Sequence, residues 1–312
     1  MFKISYEIQK NIIINKSHSE ISHFLCDFSK SKLWNPWLVL DDEAVTDDKN
    51  LPNQIGHQQH WKGPIIGEGL QTLTAINDQR IDIELQFIKP FKTVSPTYYQ
   101  LNSIDNNSTE LIWSMKGTLP FFLFFFKKFM TVMLGRDFER GLDRLKELCE
   151  EGRVFSSISS VETIDVKDLY YQGIEGKCTL SEIPSKLRSS FEKISHDISS
   201  MKISNFKGMV SVYHEINPMQ NLVHYTAGVY FENPPVKLEG YNDGFIREHR
   251  ALKLISKGPY HHLKTAWTKI FSYQRVNKLR VISKIPMLEF MHNDPMRVSK
   301  EEIKTEIHLA IK

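Results

Sequence analysis

Residues 286–312 read PMLEFMHNDPMRVSKEEIKTEIHLAIK, a pattern typical of a β-hairpin with a carboxylate on its first strand. An alternating run leads to a turn at His292-Asn293-Asp294-Pro295, and a second alternating run follows at 303–311. Successive side chains of a strand point to opposite faces, so Glu289 shares a face with Met287 and with the methionine two residues after it. The pattern therefore predicts a carboxylate among apolar side chains.

A strand-helix-strand-strand pattern occurs twice between residues 164 and 311, and this hairpin ends the second copy, which indicates an internal duplication. When Pro218 is aligned with Pro295, Val212 falls opposite Glu289, so the two copies differ at the acid. The predicted elements are strand 164–176, helix 183–200, strands 208–216 and 222–231, then strand 244–256, helix 260–275 and strands 286–292 and 303–311.

The N-terminal half has a different pattern, with a strand at 3–14, a helix capped at Ser17, and five further strand-like segments. Apolar residues at three- and four-residue intervals then predict one long amphipathic helix that ends near Gly152. The serine-rich segment 154–161 is typical of a linker. We therefore expect an α+β protein with one domain at 1–153 and another at 162–312.

The N-terminal pattern resembles the START-like helix-grip superfamily, and in particular its polyketide-cyclase-like members. The resemblance covers about residues 1–153 and depends on the Trp34-Asn35-Pro36-Trp37 segment, the run of strands, and a last helix that contains 137–146. It implies a curved antiparallel sheet with a long C-terminal helix across its mouth. In that family the enclosed cavity binds a hydrophobic small molecule.

The C-terminal half, from about Asp165 onward, resembles the gyrase-inhibitor-like small-molecule-binding domain, which is also the effector-binding half of AraC-type and multidrug-responsive transcription activators. The residues that carry the resemblance are Gly258-Pro259-Tyr260-His261-His262-Leu263, Trp267, Glu289, Asn293-Asp294-Pro295 and 304–311. The resemblance implies an acid at the floor of an aromatic groove that pairs with cationic, often lipophilic, ligands. Those activators also carry a helix-turn-helix domain, which the pattern at 1–153 does not resemble, so their DNA-binding function is not expected here.

Glu289 is the first candidate for a ligand-binding residue, because a desolvated carboxylate discriminates in favour of a cation and aromatic rings add cation-π attraction. The aromatic candidates are Tyr260, Trp267, Tyr213 and Tyr230. Each has a structural alternative: Glu289 could lie on the solvent face of the hairpin, and the helical spacing of Trp267 also suits core packing.

Composition and motifs argue against several classes of function. The net charge is only +3 and the charges are mixed along the chain, so a nucleic-acid surface is not indicated. The three cysteines are far apart, and the adjacent His261 and His262 lack metal-ligand spacing, so we expect neither a disulfide framework nor a metal site. Nucleophile-elbow and phosphate-loop motifs are absent from the sequence, and it suggests no cofactor.

The sequence also bears on location. It shows no secretory signal, and the apolar run at 120–130 is interrupted by lysines and much shorter than the roughly 20 residues of a membrane span. We expect a cytoplasmic protein without an integral membrane segment, and interfacial membrane contact by this run is the alternative. The sequence does not indicate an oligomeric state.

Two functions fit these observations. The first is the binding of a hydrophobic or cationic small molecule for sensing, sequestration or detoxification. The second is a small-molecule hydrolase that opens a strained or electrophilic ligand with Glu289 and a hydroxyl of Tyr260 or Tyr213. The sequence leaves open whether the protein is an enzyme.

Overall fold

A computed structural model describes residues 3–90, 92–201 and 205–312. The chain forms two compact units, Met1–Val154 and Phe155–Lys312, which are called the first and second unit below. Both combine antiparallel sheets with helices, so the mixed α+β class is confirmed. Within the described ranges, each helix is too short or too polar to cross a bilayer.

The first unit is built on one antiparallel sheet of seven strands in the order β1-β7-β6-β5-β4-β3-β2. Most neighbours in the sheet are also neighbours in the sequence, which is the meander that the spacing of turn residues predicts. The strands are β1 (Lys3–Ile14), β2 (Val45–Lys49), β3 (Gln58–Gly63), β4 (Gly67–Asn77), β5 (Arg80–Lys89), β6 (Thr93–Asp105) and β7 (Ser108–Pro120).

Three α-helices complete the first unit: α1 (His18–Cys26), α2 (Ser31–Trp34) and α3 (Lys127–Glu151). Short 3₁₀ turns lie at Phe28–Lys30, Leu38–Leu40 and Phe121–Phe126. As predicted, α1 is capped by Ser17, and α3 ends at Gly152, whose φ of 74° is the left-handed conformation that glycine adopts at helix ends.

The long helix α3 packs on the core of the first unit through Phe138, whose ring stacks on Trp113 with centroids 4.1 Å apart. Gly141 permits this approach, because a Cβ there would lie 2.8 Å from atoms of both Pro36 and Trp113. The buried guanidinium of Arg140 donates to the Pro36 carbonyl at 3.1 Å. These contacts hold the Trp34–Trp37 segment against the helix.

The second unit has a nine-stranded antiparallel sheet with the path β13-β10-β12-β11-β15-β16-β14-β8, and β9 also pairs with β14. Its helices are α4 (Ile183–Met201) and α5 (Leu263–Val276), and 3₁₀ turns lie at Tyr260–His262 and Lys300–Glu302. The strands are β8 (Ser157–Ile158), β9 (Glu162–Val166), β10 (Leu169–Cys178), β11 (Gly208–Asn217), β12 (Leu222–Phe231), β13 (Asn242–Ile246), β14 (His249–Lys257), β15 (Met287–Met291) and β16 (Lys304–Ile311).

Each half of this sheet contains a break that the sequence pattern does not predict. The expected strand 164–176 is two strands, β9 and β10, and the expected strand 244–256 is β13 and β14. The short first strand of each half pairs with the second strand of the other half, β13 with β10 and β9 with β14. The segment 154–161, expected as a linker, contains β8, which pairs with β14.

The centre of the sheet is the antiparallel pair of β11 and β15, in which Ser211 lies opposite Glu289 and Val212 opposite Leu288. Val212, which the sequence alignment places opposite Glu289, therefore lies on the other face of the sheet. A bulge in β11 adds one residue, His214, to the pairing with β12.

Candidate functional site: a buried carboxylate between two helices

Glu289 lies in a row of residues that crosses five neighbouring strands. Direct cross-strand partners share a face of the sheet, and the row, which begins on β12 and ends on β14, is Ala227, Ser211, Glu289, Ile307 and Leu254. At one end, Ala227 packs in the apolar cluster under α4, and at the other end Ile307 and Leu254 pack in the cluster under α5. Glu289 therefore faces the helices, between their two clusters.

Glu289 is 4% exposed, and each of its carboxylate oxygens accepts one hydrogen bond from an aromatic side chain. The indole Nε1 of Trp267 on α5 donates to Oε1 at 2.6 Å. The hydroxyl of Tyr213 on β11 donates to Oε2 at 2.8 Å. Both donors are neutral, so these two hydrogen bonds do not compensate the charge of the carboxylate.

Burial dominates the electrostatics of this group. The pKa of Glu289 is raised above its ordinary value of 4.5, because desolvation of the charged form outweighs the hydrogen bonds from Trp267 and Tyr213. The pKa of the Tyr213 hydroxyl is raised well above 10 by its own burial first and then by the negative charge of Glu289. The hydroxyl therefore remains a donor at neutral pH.

Aromatic and thioether side chains surround the carboxylate. The ring centroids of Tyr213 and Trp267 are 6.4 Å apart at an angle of 88°, and those of Trp267 and Phe271 are 6.0 Å apart. Met287 packs against both the α4 and the α5 clusters, so it lies at their junction. The predicted apolar surroundings of Glu289 are confirmed, and its solvent-exposed alternative is wrong.

Tyr260 stands on the 3₁₀ turn that precedes α5 and is 37% exposed. Burial raises its pKa to about 12, and the negative charges of Glu289 and Asp294 add to the rise. Its turn follows Gly258, whose φ of 114° favours glycine and where a Cβ would lie 2.3 Å from the carbonyl oxygen of Phe155. Tyr260 thus lies within electrostatic range of Glu289 and is also accessible to solvent.

Tyr230 is not part of this arrangement. It lies opposite Gly208 on the neighbouring strand, three residues from Ser211, and an odd separation along a strand places the two residues on opposite faces. On that face its ring packs edge-on against Phe290, with centroids 5.0 Å apart. The structure therefore brings together Glu289, Tyr213, Trp267 and Tyr260, and it separates Tyr230 from them.

Sequence reasoning missed two residues near the carboxylate, Phe271 and Ser211. Phe271 follows Trp267 by four residues, so helical periodicity could have placed it on the same face of α5. Ser211 could not have been found from the sequence, because its position opposite Glu289 depends on the register between two strands that are distant in the chain.

Comparison with known proteins finds a family match within the second unit. Residues 159–312 match the family model of the GyrI-like small molecule binding domain. The chain is also similar to SAV2435 bound to tetraphenylphosphonium, with 12% identity, a TM-score of 0.41, and coverage of 49% of this chain and 94% of that one. No curated protein matches the sequence.

Two further solved structures show similar values. Protein CV1439 from Chromobacterium violaceum is 12% identical, with a TM-score of 0.35 and coverage of 46% of this chain and 96% of that one. A hydrolase encoded by lin2189 from Listeria innocua is 11% identical, with a TM-score of 0.33 and coverage of 49% and 91%.

Proposed function

We propose that the second unit binds a lipophilic organic cation, with Glu289 as the charge partner. The observation that carries the proposal is a buried carboxylate whose hydrogen-bond partners, among the described residues, are two neutral aromatic donors. A buried charge is normally paired with an opposite charge or shifted toward its neutral form. A cation that reaches Glu289 would supply the missing charge.

The surrounding side chains suit a ligand that is apolar as well as positive. Trp267, Phe271 and Tyr213 offer ring faces and edges within one aromatic cluster, and a cation over such a face gains attraction that grows when water is excluded. A neutral ligand of the same shape would gain the apolar contacts and lack the attraction to the carboxylate. The site therefore favours cations over neutral molecules of equal size.

Access to Glu289 requires movement of aromatic side chains that lie around it. Trp267 is half-buried and Tyr260 is 37% exposed, whereas Tyr213 is buried in the sheet. Tyr260 lies on a single 3₁₀ turn, which is held by fewer hydrogen bonds than a helix. We infer that the ligand enters at the N-terminal end of α5 by displacing Tyr260 and the ring of Trp267.

We also infer that the second unit arose by duplication and that the first is a helix-grip domain. The order strand, strand, helix, strand, strand from β9 to β12 is repeated from β13 to β16. In the first unit, a seven-stranded antiparallel sheet is followed by a 25-residue helix that packs on its core. We assign binding to the second unit because the buried carboxylate with its two aromatic donors lies there.

Calorimetric titration of the full-length protein with tetraphenylphosphonium and with neutral triphenylphosphine oxide tests the assignment. We expect the cation to bind more tightly, and Glu289→Gln, which keeps the size of the side chain, to weaken it by about 30-fold or more. Glu306→Gln is the matched control, because Glu306 lies opposite Phe290 and thus on the other face of the same hairpin.

Equal affinity of Glu289→Gln and the wild type for the cation would refute the assignment. Equal affinity of the wild type for the cation and the neutral compound would refute it too. Recovery of intact ligand after long incubation separates binding from the hydrolase alternative, which requires turnover.

A further inference from the structure

The segment between β7 and α3 exposes an unusual amount of aromatic surface. Six phenylalanines between residues 121 and 129 have exposed fractions from 42% to 68%, and they are Phe121, Phe122, Phe124, Phe125, Phe126 and Phe129. Their exposed area is on the order of 600 Å², which reaches the upper end of the largest apolar patch on a typical soluble monomer. Such a patch marks an interaction surface.

The apolar residues surround the segment instead of forming one stripe. Residues 121–126 form two consecutive 3₁₀ turns joined by a kink at Leu123, and the three residues of such a turn point in three different directions. All six residues are Phe or Leu, so apolar side chains point in every direction around each turn. A groove on a protein would cover one side of this segment, whereas a lipid phase can surround it.

Positive charge accompanies this apolar turn. The sequence contains no Asp or Glu between Glu110 and Asp137, and Lys127 and Lys128 follow the turn directly. Lys3 lies opposite Pro120 in the register of β1 and β7, so it belongs to the same end of the sheet.

The neighbouring strands bring further charges to this end. β5 ends at Lys89 and β6 begins at Thr93, which lies opposite Phe87 on β5. Lys92 is in the connection between β5 and β6, so it belongs to the same end of the sheet as Lys3. Two neighbouring acids are paired with lysines: Glu68 on β4 lies 3.1 Å from Lys89, and Glu7 on β1 lies 3.9 Å from Lys116. Lys3, Lys92, Lys127 and Lys128 are not part of these two pairs and leave an excess of positive charge at this end.

We propose that residues 121–129 insert into the interface of a bilayer that contains anionic lipids, with Lys127 and Lys128 at the headgroups. The rings enter the boundary between headgroups and acyl chains, where an aromatic side chain is stable, and the lysines contact lipid phosphates. The apolar turn is too short to span the bilayer. The first unit thus docks reversibly on one leaflet, through the inserted phenylalanine rings and the lysines at the headgroups.

Vesicle flotation of the full-length protein tests this docking. One set of vesicles consists of phosphatidylcholine, and the other replaces a third of it with phosphatidylglycerol. We expect the wild type to float with the anionic vesicles, and Phe124→Ser combined with Phe125→Ser to weaken binding about tenfold or more. Both rings are exposed, at 61% and 68%, so this variant keeps its fold, which a thermal melt verifies.

A matched control replaces exposed apolar residues at the other end of the same sheet. Leu51 is 64% exposed and Ile104 is 56% exposed. Leu51→Ser combined with Ile104→Ser should leave flotation unchanged. Lys127→Gln combined with Lys128→Gln should weaken binding to anionic vesicles about tenfold or more, without a comparable effect on phosphatidylcholine.

Three results would overturn the proposal. The first is equal flotation of the wild type and the Phe124/Phe125 serine variant. The second is equal binding to both vesicle types, which would remove the role of the lysines. The third is a wild type that does not float with vesicles but self-associates in sedimentation equilibrium, when the serine variant does not self-associate. In that case the phenylalanines would contact a second copy of the protein. Glu289→Gln should float like the wild type, so this test is independent of the ligand site.

Discussion

The affinity of the second unit for a lipophilic cation should depend on pH through Glu289. Burial raises the pKa of this carboxylate above 4.5, so part of the free protein carries a neutral Glu289 in weakly acidic solution. A cation interacts favourably with the ionised form, so binding must displace the proton. Affinity should therefore rise as the pH rises through the raised pKa and become constant above it.

Coulomb's law gives the size of this effect. A cation shielded by phenyl groups approaches a carboxylate to about 6 Å, where the attraction is about 3 kcal/mol at the effective dielectric constant of about 20 that suits protein sites. This energy is the difference in binding between ionised and protonated Glu289, so it corresponds to about two pKa units. Affinity should change by up to about tenfold per pH unit, over a total span of about 100-fold.

Isothermal titration of tetraphenylphosphonium between about pH 4, below the ordinary pKa of a glutamate, and pH 8, in two buffers with different ionisation enthalpies, measures both affinity and proton release. Glu289→Gln should bind weakly and without pH dependence. Tyr213 and Tyr260 do not contribute, because their pKa values are raised above 10. A wild-type affinity that is constant over this range, without proton release at its acidic end, would refute the role of a neutralised Glu289.

Three predictions concern stability, each measured as the free energy of unfolding in urea. Tyr213→Phe removes the donor to Glu289 Oε2 and should destabilise the second unit by about 1–2 kcal/mol at pH 8. The destabilisation should be smaller at acidic pH, where Glu289 is protonated. An equal loss of unfolding free energy at both pH values would contradict this prediction. Gly228→Ala places a Cβ 2.2 Å from the Gln172 carbonyl oxygen and should lower the free energy of unfolding by about 2–3 kcal/mol. An unchanged free energy of unfolding would show that the two paired strands can move apart to accept the methyl group. The hydrogen bond from His308 lowers the pKa of Glu306 to about 2. The ionised Glu306 should therefore contribute about 1–2 kcal/mol to the free energy of unfolding above pH 4.5, and this contribution should be lost as the pH falls toward 2. Glu306→Gln should lack this pH-dependent part.

Local periodicity predicted the elements that carry one buried face. The alternation from Met287 to Met291 predicted β15 and the apolar surroundings of Glu289, and the spacing around Phe138 predicted α3. These predictions are confirmed because burial of a single face imposes its period directly on the sequence. The hydrogen-bonding role of Trp267 was harder to predict, because a ring at the same position can pack in the core without a polar partner.

Long-range pairing accounts for most of what the sequence did not predict. The breaks after Val166 and Ile246 lie within runs that continue to look like strands, and they exist because β9 and β13 pair with the opposite half of the sheet. The clustering of Tyr230 with Glu289 failed for a related reason. A ring near the end of β12 can lie on either face, and only the register with β11 decides which.

The register of β11 and β15 also determines how the site depends on the two halves of the second unit. The first half supplies the buried Ser211, which lies opposite Glu289 of the second half. It also supplies the hydroxyl of Tyr213, while the second half supplies the indole of Trp267. Neither half holds the carboxylate and both donors, so the charge site exists only where the halves meet, and a change in the β11·β15 register by one residue would remove Tyr213 from Glu289.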